Sequence, residues 1–173
     1  MKSKLLLASE NPGKLLEMQS LLVDLPVELL IPAQIGLSLA VEENGKTYAD
    51  NAALKALAYT RISGLVTLAD DSGLEVDALG GRPGLYSARF APVPNATDAD
   101  RRAYLLQQLN GMLQPWLAHF HCTVAIAEPA GSLYFAEGEC QGKIIAEERG
   151  QEGFGYDPIF FLPEFQVAFH KAP

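Results

Sequence analysis

Cysteine is nearly absent. The 173 residues hold two, Cys122 and Cys140, with no CxxC spacing, so no disulfide framework suggests itself. Both read as free thiols, each inside an apolar alternating stretch, and point to a reducing compartment, the cytoplasm. A basic surface is missing too: 13 Lys and Arg stand against 21 Asp and Glu, giving a formal net charge of -8 and a pI near 4.8. Nucleic acid and anionic membranes demand a basic patch, so the balance argues against both, and any anionic ligand has to be held by a few local groups. No apolar run approaches the length of a membrane span. The first one, Leu5 to Ala8, stops at Ser9-Glu10-Asn11, too short for the core of a signal peptide. Repeats and low-complexity segments are also lacking. With 49% hydrophobic residues, positions 1–173 suit one globular domain.

What stands out instead is Leu65-Val66-Thr67-Leu68-Ala69-Asp70-Asp71-Ser72-Gly73-Leu74-Glu75, an apolar run that meets two adjacent carboxylates. The pattern predicts a buried strand that delivers acid to its own end, where open α/β sheets place their ligands. A second, alternating run, Leu74 to Leu79, follows. Asp70 and Asp71 could merely cap a turn with Ser72-Gly73. Adjacent carboxylates repel, however, unless a cation or a proton offsets them, which favours a functional reading.

Elsewhere the elements alternate. Leu5 to Ala8 predicts a short buried strand, and Asn11-Pro12 a helix start, since Asn caps and Pro suits the first helical position. That helix runs to about Leu22 with Leu15, Met18 and Leu22 on one face, and its first turn, Ser9 to Lys14, offers N–H groups and one ammonium to an anion. The GxxxxGK[ST] spacing of a P-loop is absent. Val27 to Ile31 predicts a strand, followed by a Pro/Gly-punctuated connection that carries Glu42 and Glu43. Thr47 and Asp50 resemble a capping box for a helix from Tyr48 to about Ile62, with Leu54, Leu57, Ala58 and Ile62 as its apolar face. Asn51 and Lys55, four apart, share another face and could point at one ligand. Thr97 and Asp100 cap a third helix that ends near Asn110-Gly111. Strands are then expected around Phe120 to Ile126, Leu133 to Cys140 and Ile144 to Glu147. Gly153-Phe154-Gly155-Tyr156-Asp157-Pro158 is a loop whose aromatics could stack on a base or plug the start of a strand.

Three stretches in order, Ser9-Glu10-Asn11-Pro12-Gly13-Lys14, then Ala69-Asp70-Asp71-Ser72-Gly73-Leu74 with Gly80-Gly81-Arg82-Pro83-Gly84-Leu85-Tyr86-Ser87-Ala88-Arg89-Phe90, then Gly153-Phe154-Gly155-Tyr156-Asp157-Pro158-Ile159-Phe160, resemble the inosine/xanthosine triphosphate pyrophosphatase family. The resemblance implies an α/β fold, a long twisted mixed sheet flanked by helices in two lobes with a cleft between them. It implies a magnesium-dependent homodimer that hydrolyses ITP, dITP and XTP to the monophosphate and pyrophosphate. Carried onto this chain, Ser9, Glu10, Asn11, Pro12, Gly13 and Lys14 look like the triphosphate loop. Glu43 and Asp71 resemble the metal ligands, and Asp71 also the general base, with Asp70 and Lys14 beside it in the catalytic set. Lys55 looks like a further phosphate contact, Ser72 a substrate contact, and Phe154, Gly155, Tyr156 and Asp157 the nucleoside pocket. The chemistry agrees: a triphosphate carries about four negative charges, so placing it among Glu42, Glu43, Asp70 and Asp71 calls for a cation such as Mg²⁺.

The resemblance also implies a Lys, a Ser-His-Arg motif and a last helix after the strand at Ile159. Here Pro163 is followed by Glu164-Phe165-Gln166-Val167-Ala168-Phe169-His170-Lys171-Ala172-Pro173, and the motif is not found. The expectation from that difference is weak base discrimination and slow turnover. The alternatives are a pyrimidine-preferring relative on the same fold, against which Phe154-Gly155-Tyr156-Asp157 counts, and a catalytically weak nucleotide-binding or interaction protein.

Overall fold

A computed structural model describes residues 2–150, 153–165 and 167–168. Among the described residues there are eight strands, β1 (Ser3–Leu7), β2 (Val27–Leu30), β3 (Val66–Val76), β4 (Arg82–Pro83), β5 (Trp116–Ala127), β6 (Leu133–Ile144), β7 (Phe160–Leu162) and β8 (Val167–Ala168), and three α-helices, α1 (Pro12–Leu21), α2 (Tyr48–Ser63) and α3 (Asp98–Leu109). The sheet is mixed, in the order β2-β1-β3-β5-β6-β7-β8, with β4 paired to β3 off that path. β1 lies parallel to both β2 and β3, while β4, β7 and β8 are antiparallel to their partners. The α/β architecture expected from the sequence is therefore present. Among the described residues no helix is long and apolar enough to cross a membrane.

The chain divides into two compact units, Met1–Asp71 with Cys122–Glu137, and Ser72–His121 with Gly138–Pro173. In the first, the period-2 alternation of β1 sends side chains to opposite faces. Leu5 and Leu7 pack with Leu68 and, from α1, with Leu15 and Met18; Leu6 and Ala8 pack with Ala69 and, from α2, with Ala52, Ala56 and Tyr59. One helix thus covers each face of β1. The second unit has its own core, in which Leu105 and Leu109 of α3 meet Leu74, Val76, Trp116, Ile159 and Phe160.

Three expectations are corrected. The acidic residues do not end a strand: β3 runs unbroken through Asp70-Asp71-Ser72-Gly73 to Val76. Ser72-Gly73 makes no turn, and the N–H of Leu74 donates instead to Ser87 Oγ at 2.9 Å. The aliphatic face named for α2 is the exposed one, with Leu54, Leu57 and Ile62 at 39%, 37% and 54% exposure, while Tyr48, Asn51, Ala52, Ala56, Tyr59 and Thr60 are buried. The buried stripe instead sets Ala52, Ala56 and Tyr59 against Leu6, Ala8 and Ala69. Finally, the first of the two strands expected between Leu133 and Glu147 runs on as β6 to Ile144, while Ile145 to Glu147, the rest of the second, form no strand. His170-Lys171 and the rest of the tail after Ala168 fall outside the described residues.

Candidate active site

The parallel pair β1/β3 sets the site. Its register ends at Leu7 with Leu68, and the Ala8 N–H closes it on the Leu68 carbonyl at 2.8 Å. Asp70 and Asp71 continue β3 just beyond the carboxyl end of β1, where the chain leaves for α1. Ser9 Oγ accepts from the Asn11 N–H at 3.2 Å, and Asn11 Oδ1 accepts from the Gly13 N–H at 2.9 Å. This is the expected Asn cap with Pro12 at the first helical position.

Lys14, in that first turn, donates from Nζ to Asp70 Oδ2 in a very short contact. Burial pulls the Lys14 pKa down, but the charge and hydrogen bond of Asp70, with Asp71 behind it, outweigh burial and raise it, so Lys14 stays an ammonium. An ammonium has three donors, which leaves it able to bind a second acceptor while keeping Asp70. Asp70 Oδ1 is buried and has no hydrogen-bond partner among the described residues. An orphan carboxylate oxygen is costly, and it marks a place where a cation or a donor is wanted.

Asp71 is served from α2. Asn51, 1% exposed, donates from Nδ2 to Asp71 Oδ2 at 2.9 Å, and its Oδ1 accepts from the Gly45 N–H at 2.8 Å. Lys55, one turn on, places Nζ 2.7 Å from Glu43 Oε1 and 4.0 Å from Asp71 Oδ1. The i, i+4 pairing of Asn51 and Lys55 read from the sequence therefore lands on one carboxylate. Burial raises the Asp71 pKa, and Glu43 adds to that, against the lowering influence of the Asn51 hydrogen bond, Lys55 and Lys14. Cys122, at the start of the returning segment, has its thiol pushed up to about 11, by burial first and by Asp70 next. It is an uncharged neighbour rather than a nucleophile.

Glu43, Lys14, Lys55, Asp70, Asp71 and the loop Ser9 to Lys14 thus belong to the first unit, with Glu10 and Pro12 exposed on that loop. Ser72, half-buried, opens the second unit, which also holds Phe154 to Asp157. There Phe154 is half-buried. Tyr156 is 4% exposed and donates its hydroxyl to the Ser87 carbonyl at 2.9 Å. Asp157 Oδ2 accepts from the Phe154 N–H at 2.9 Å. Of the two aromatics, Tyr156 anchors the loop and Phe154 is the more accessible ring.

The carboxylates fit a cation. Glu43 and Asp71 flank one ammonium, and Asp70 keeps a buried oxygen unpaired. Among the described residues no three His, Cys, Asp or Glu side chains gather as a complete protein cage. Sequence reasoning let Asn51 point at a ligand beside Lys55 and not at Asp71, and it missed Gly45, whose N–H fixes the Asn51 amide.

The Ham1 family model matches residues 5–172. A dITP/XTP pyrophosphatase of Desulforamulus reducens is 48% identical over 167 residues, which cover 96% of this chain and 83% of that protein. One from Synechocystis sp. is 48% identical over 167 residues, covering 95% and 81%. A HAM1 protein from Coxiella burnetii superposes with a TM-score of 0.87 at 38% identity, covering 99% of this chain and 87% of the other.

Proposed function

We propose that this chain, which belongs to the Ham1 family, is a nucleoside triphosphate pyrophosphatase that hydrolyses dITP, XTP and ITP to the monophosphate and pyrophosphate. The observation that carries this reading is the meeting of two ammonium groups and three carboxylates beside a capped helix start, Lys14 on Asp70 and Lys55 between Glu43 and Asp71. Three carboxylates against two ammonium groups leave the cluster one charge negative, so a triphosphate settles there together with a cation.

In this reading the loop Ser9 to Lys14 receives the triphosphate, Lys14 and Lys55 offset its charge, and Ser72 adds a polar contact. Glu43 and Asp71 would hold Mg²⁺, which supplies charge neutralisation and polarisation of the phosphate when bound. Asp71, fixed by the Asn51 amide, accepts the proton of the attacking water, and burial makes it a better base than an exposed carboxylate. Asp70 orients the water through its unpaired oxygen. The water oxygen bonds to phosphorus, the phosphoanhydride bond breaks, and Lys14 stabilises charge on the departing pyrophosphate. Phe154 stacks on the base, while Gly155, Tyr156 and Asp157 shape the loop that carries it.

The test is pyrophosphate release from ITP, dITP, XTP, GTP and dTTP with and without Mg²⁺. Selective turnover of the deaminated purines supports the reading. Equal turnover of dTTP would favour a pyrimidine-tolerant relative, and binding without turnover a nucleotide-binding protein. Free thiols on β5 and β6 suit a cytoplasmic setting. A homodimer, implied by the family resemblance, is read by sedimentation equilibrium.

A further inference from the structure

The capping of α3 leaves one acid over. Thr97 Oγ1 accepts from the Asp100 N–H at 3.2 Å, and Asp100 Oδ2 accepts from the Thr97 N–H at 2.8 Å, which completes a capping box. Asp98 is not needed for the cap. Its Oδ2 accepts instead from the Gly155 N–H at 2.8 Å, and its Oδ1 pairs with Arg101. One turn on, Arg102 donates from Nη1 to the Gly155 carbonyl at 2.9 Å, and its Nε and Nη2 fork onto Glu148 at 2.7 and 3.1 Å. Positions 98 and 102 share a helix face, so a single stripe of α3 holds both the N–H and the C=O of one glycine.

That glycine sits in the middle of the aromatic loop. Gly155 has φ of 59°, a left-handed conformation that an L side chain rarely adopts. On one side of it stands Phe154 and on the other the buried anchor Tyr156. With Tyr156 tied to Ser87 and Gly155 gripped at both polar groups, little freedom remains in where the Phe154 ring is presented.

We propose that Asp98 and Arg102 are positioning residues for nucleobase selection, acting through Gly155 to set the placement of Phe154. The inference rests on the reading of the Phe154 to Asp157 loop as the receiver of the base. It assigns to α3 a part in specificity that the three sequence motifs do not contain. Asp98 acts through its acceptor oxygen, not through its charge, because Arg101 has its own anchors in the carbonyls of Ala88 and Ala96, at 3.1 and 2.7 Å.

Asp98→Ala, Asp98→Asn, Arg102→Ala and Phe154→Leu are compared for kcat and KM on dITP and dGTP, and for competitive inhibition by inorganic triphosphate. Thermal denaturation confirms that each is folded. The expected result is that Asp98→Ala and Arg102→Ala raise KM for dITP about three- to tenfold, the effect of one hydrogen bond, and narrow the dITP over dGTP preference. Inhibition by inorganic triphosphate, which has no base, stays unchanged. Asp98→Asn, which keeps an acceptor for Gly155 but breaks the pair with Arg101, behaves as the parent protein. If Phe154→Leu alters base preference while Asp98→Ala and Arg102→Ala do not, the positioning role is wrong and the loop reading stands. If Phe154→Leu leaves base preference untouched, the loop reading fails and the proposal with it. If Asp98→Asn matches Asp98→Ala, the charge pair and not the grip on Gly155 is what matters, and the proposal is overturned.

Discussion

Asp157→Asn should make the protein more stable at pH 8 while changing little at pH 4.5. Asp157 is 5% exposed, and its carboxyl is pushed up to about 6 from the ordinary 3.8. Burial is the largest cause. The Phe154 N–H bond opposes it, Asp98 adds to it and Arg102 opposes it. Because the folded protein holds this proton to higher pH than the unfolded chain does, the folded state binds more protons between those two values. Stability therefore falls as pH rises from about 4 to about 6 and stays lower above that. The cost of keeping Asp157 ionised is about 3 kcal/mol, each pKa unit being about 1.4 kcal/mol. Asparagine retains a carbonyl oxygen for the Phe154 N–H and never ionises, but a neutral acceptor gives back about 1 kcal/mol of the charge-assisted bond. A net gain of about 1–2 kcal/mol at pH 8 is expected, a rise of a few degrees in Tm for a chain of this size. Urea denaturation of both proteins at pH 4.5, 6 and 8 reads the difference, with activity followed separately. Parallel loss of stability by parent and variant from pH 4.5 to 8 would refute the reasoning.

Asp71→Asn should lower kcat by roughly 10²- to 10⁴-fold, since the amide keeps the shape but accepts no proton, and the parent in EDTA should fall silent as well. Substantial turnover in either case removes Asp71 and the metal from the reaction. Lys14→Ala should weaken binding of ITP more than binding of IMP, because the helix start and the ammonium act on the same phosphates; equal losses by calorimetry would place Lys14 elsewhere. Asn51→Leu strands the Gly45 N–H and Asp71 Oδ2, so it should cost about 1–3 kcal/mol by denaturation and reduce kcat; an unchanged midpoint would show that neither group depends on the amide. Gly45→Ala brings a Cβ to 2.5 Å from Asp50 Cβ and 2.7 Å from Asn51 Oδ1, and should cost about 1–3 kcal/mol, read as a lowered Tm with activity lost in proportion.

The parts of this molecule that were legible in its sequence are those governed by neighbours along the chain. Asn11-Pro12, Thr47 with Asp50 and Thr97 with Asp100 announce helix starts because a cap closes within three residues, and each is found in place. The Asn51 and Lys55 pair was visible for the same reason, since four residues of helix fix a shared face. Asp70-Asp71 misled in one respect: Ser72-Gly73 looks like a turn, yet Ser87, thirteen residues on, supplies an acceptor for Leu74 and keeps β3 extended. The inverted burial of α2 has a similar origin. Hydrophobicity ranks Leu54 and Leu57 above Ala52 and Ala56, but which stripe of the helix meets the sheet decides what is buried, and no window of the sequence contains that orientation. The grip of α3 on Gly155 spans 53 and 57 residues. Asp98 and Arg102 look like ordinary solvated charges of a helix, and only the fold brings both polar groups of one left-handed glycine against their side chains.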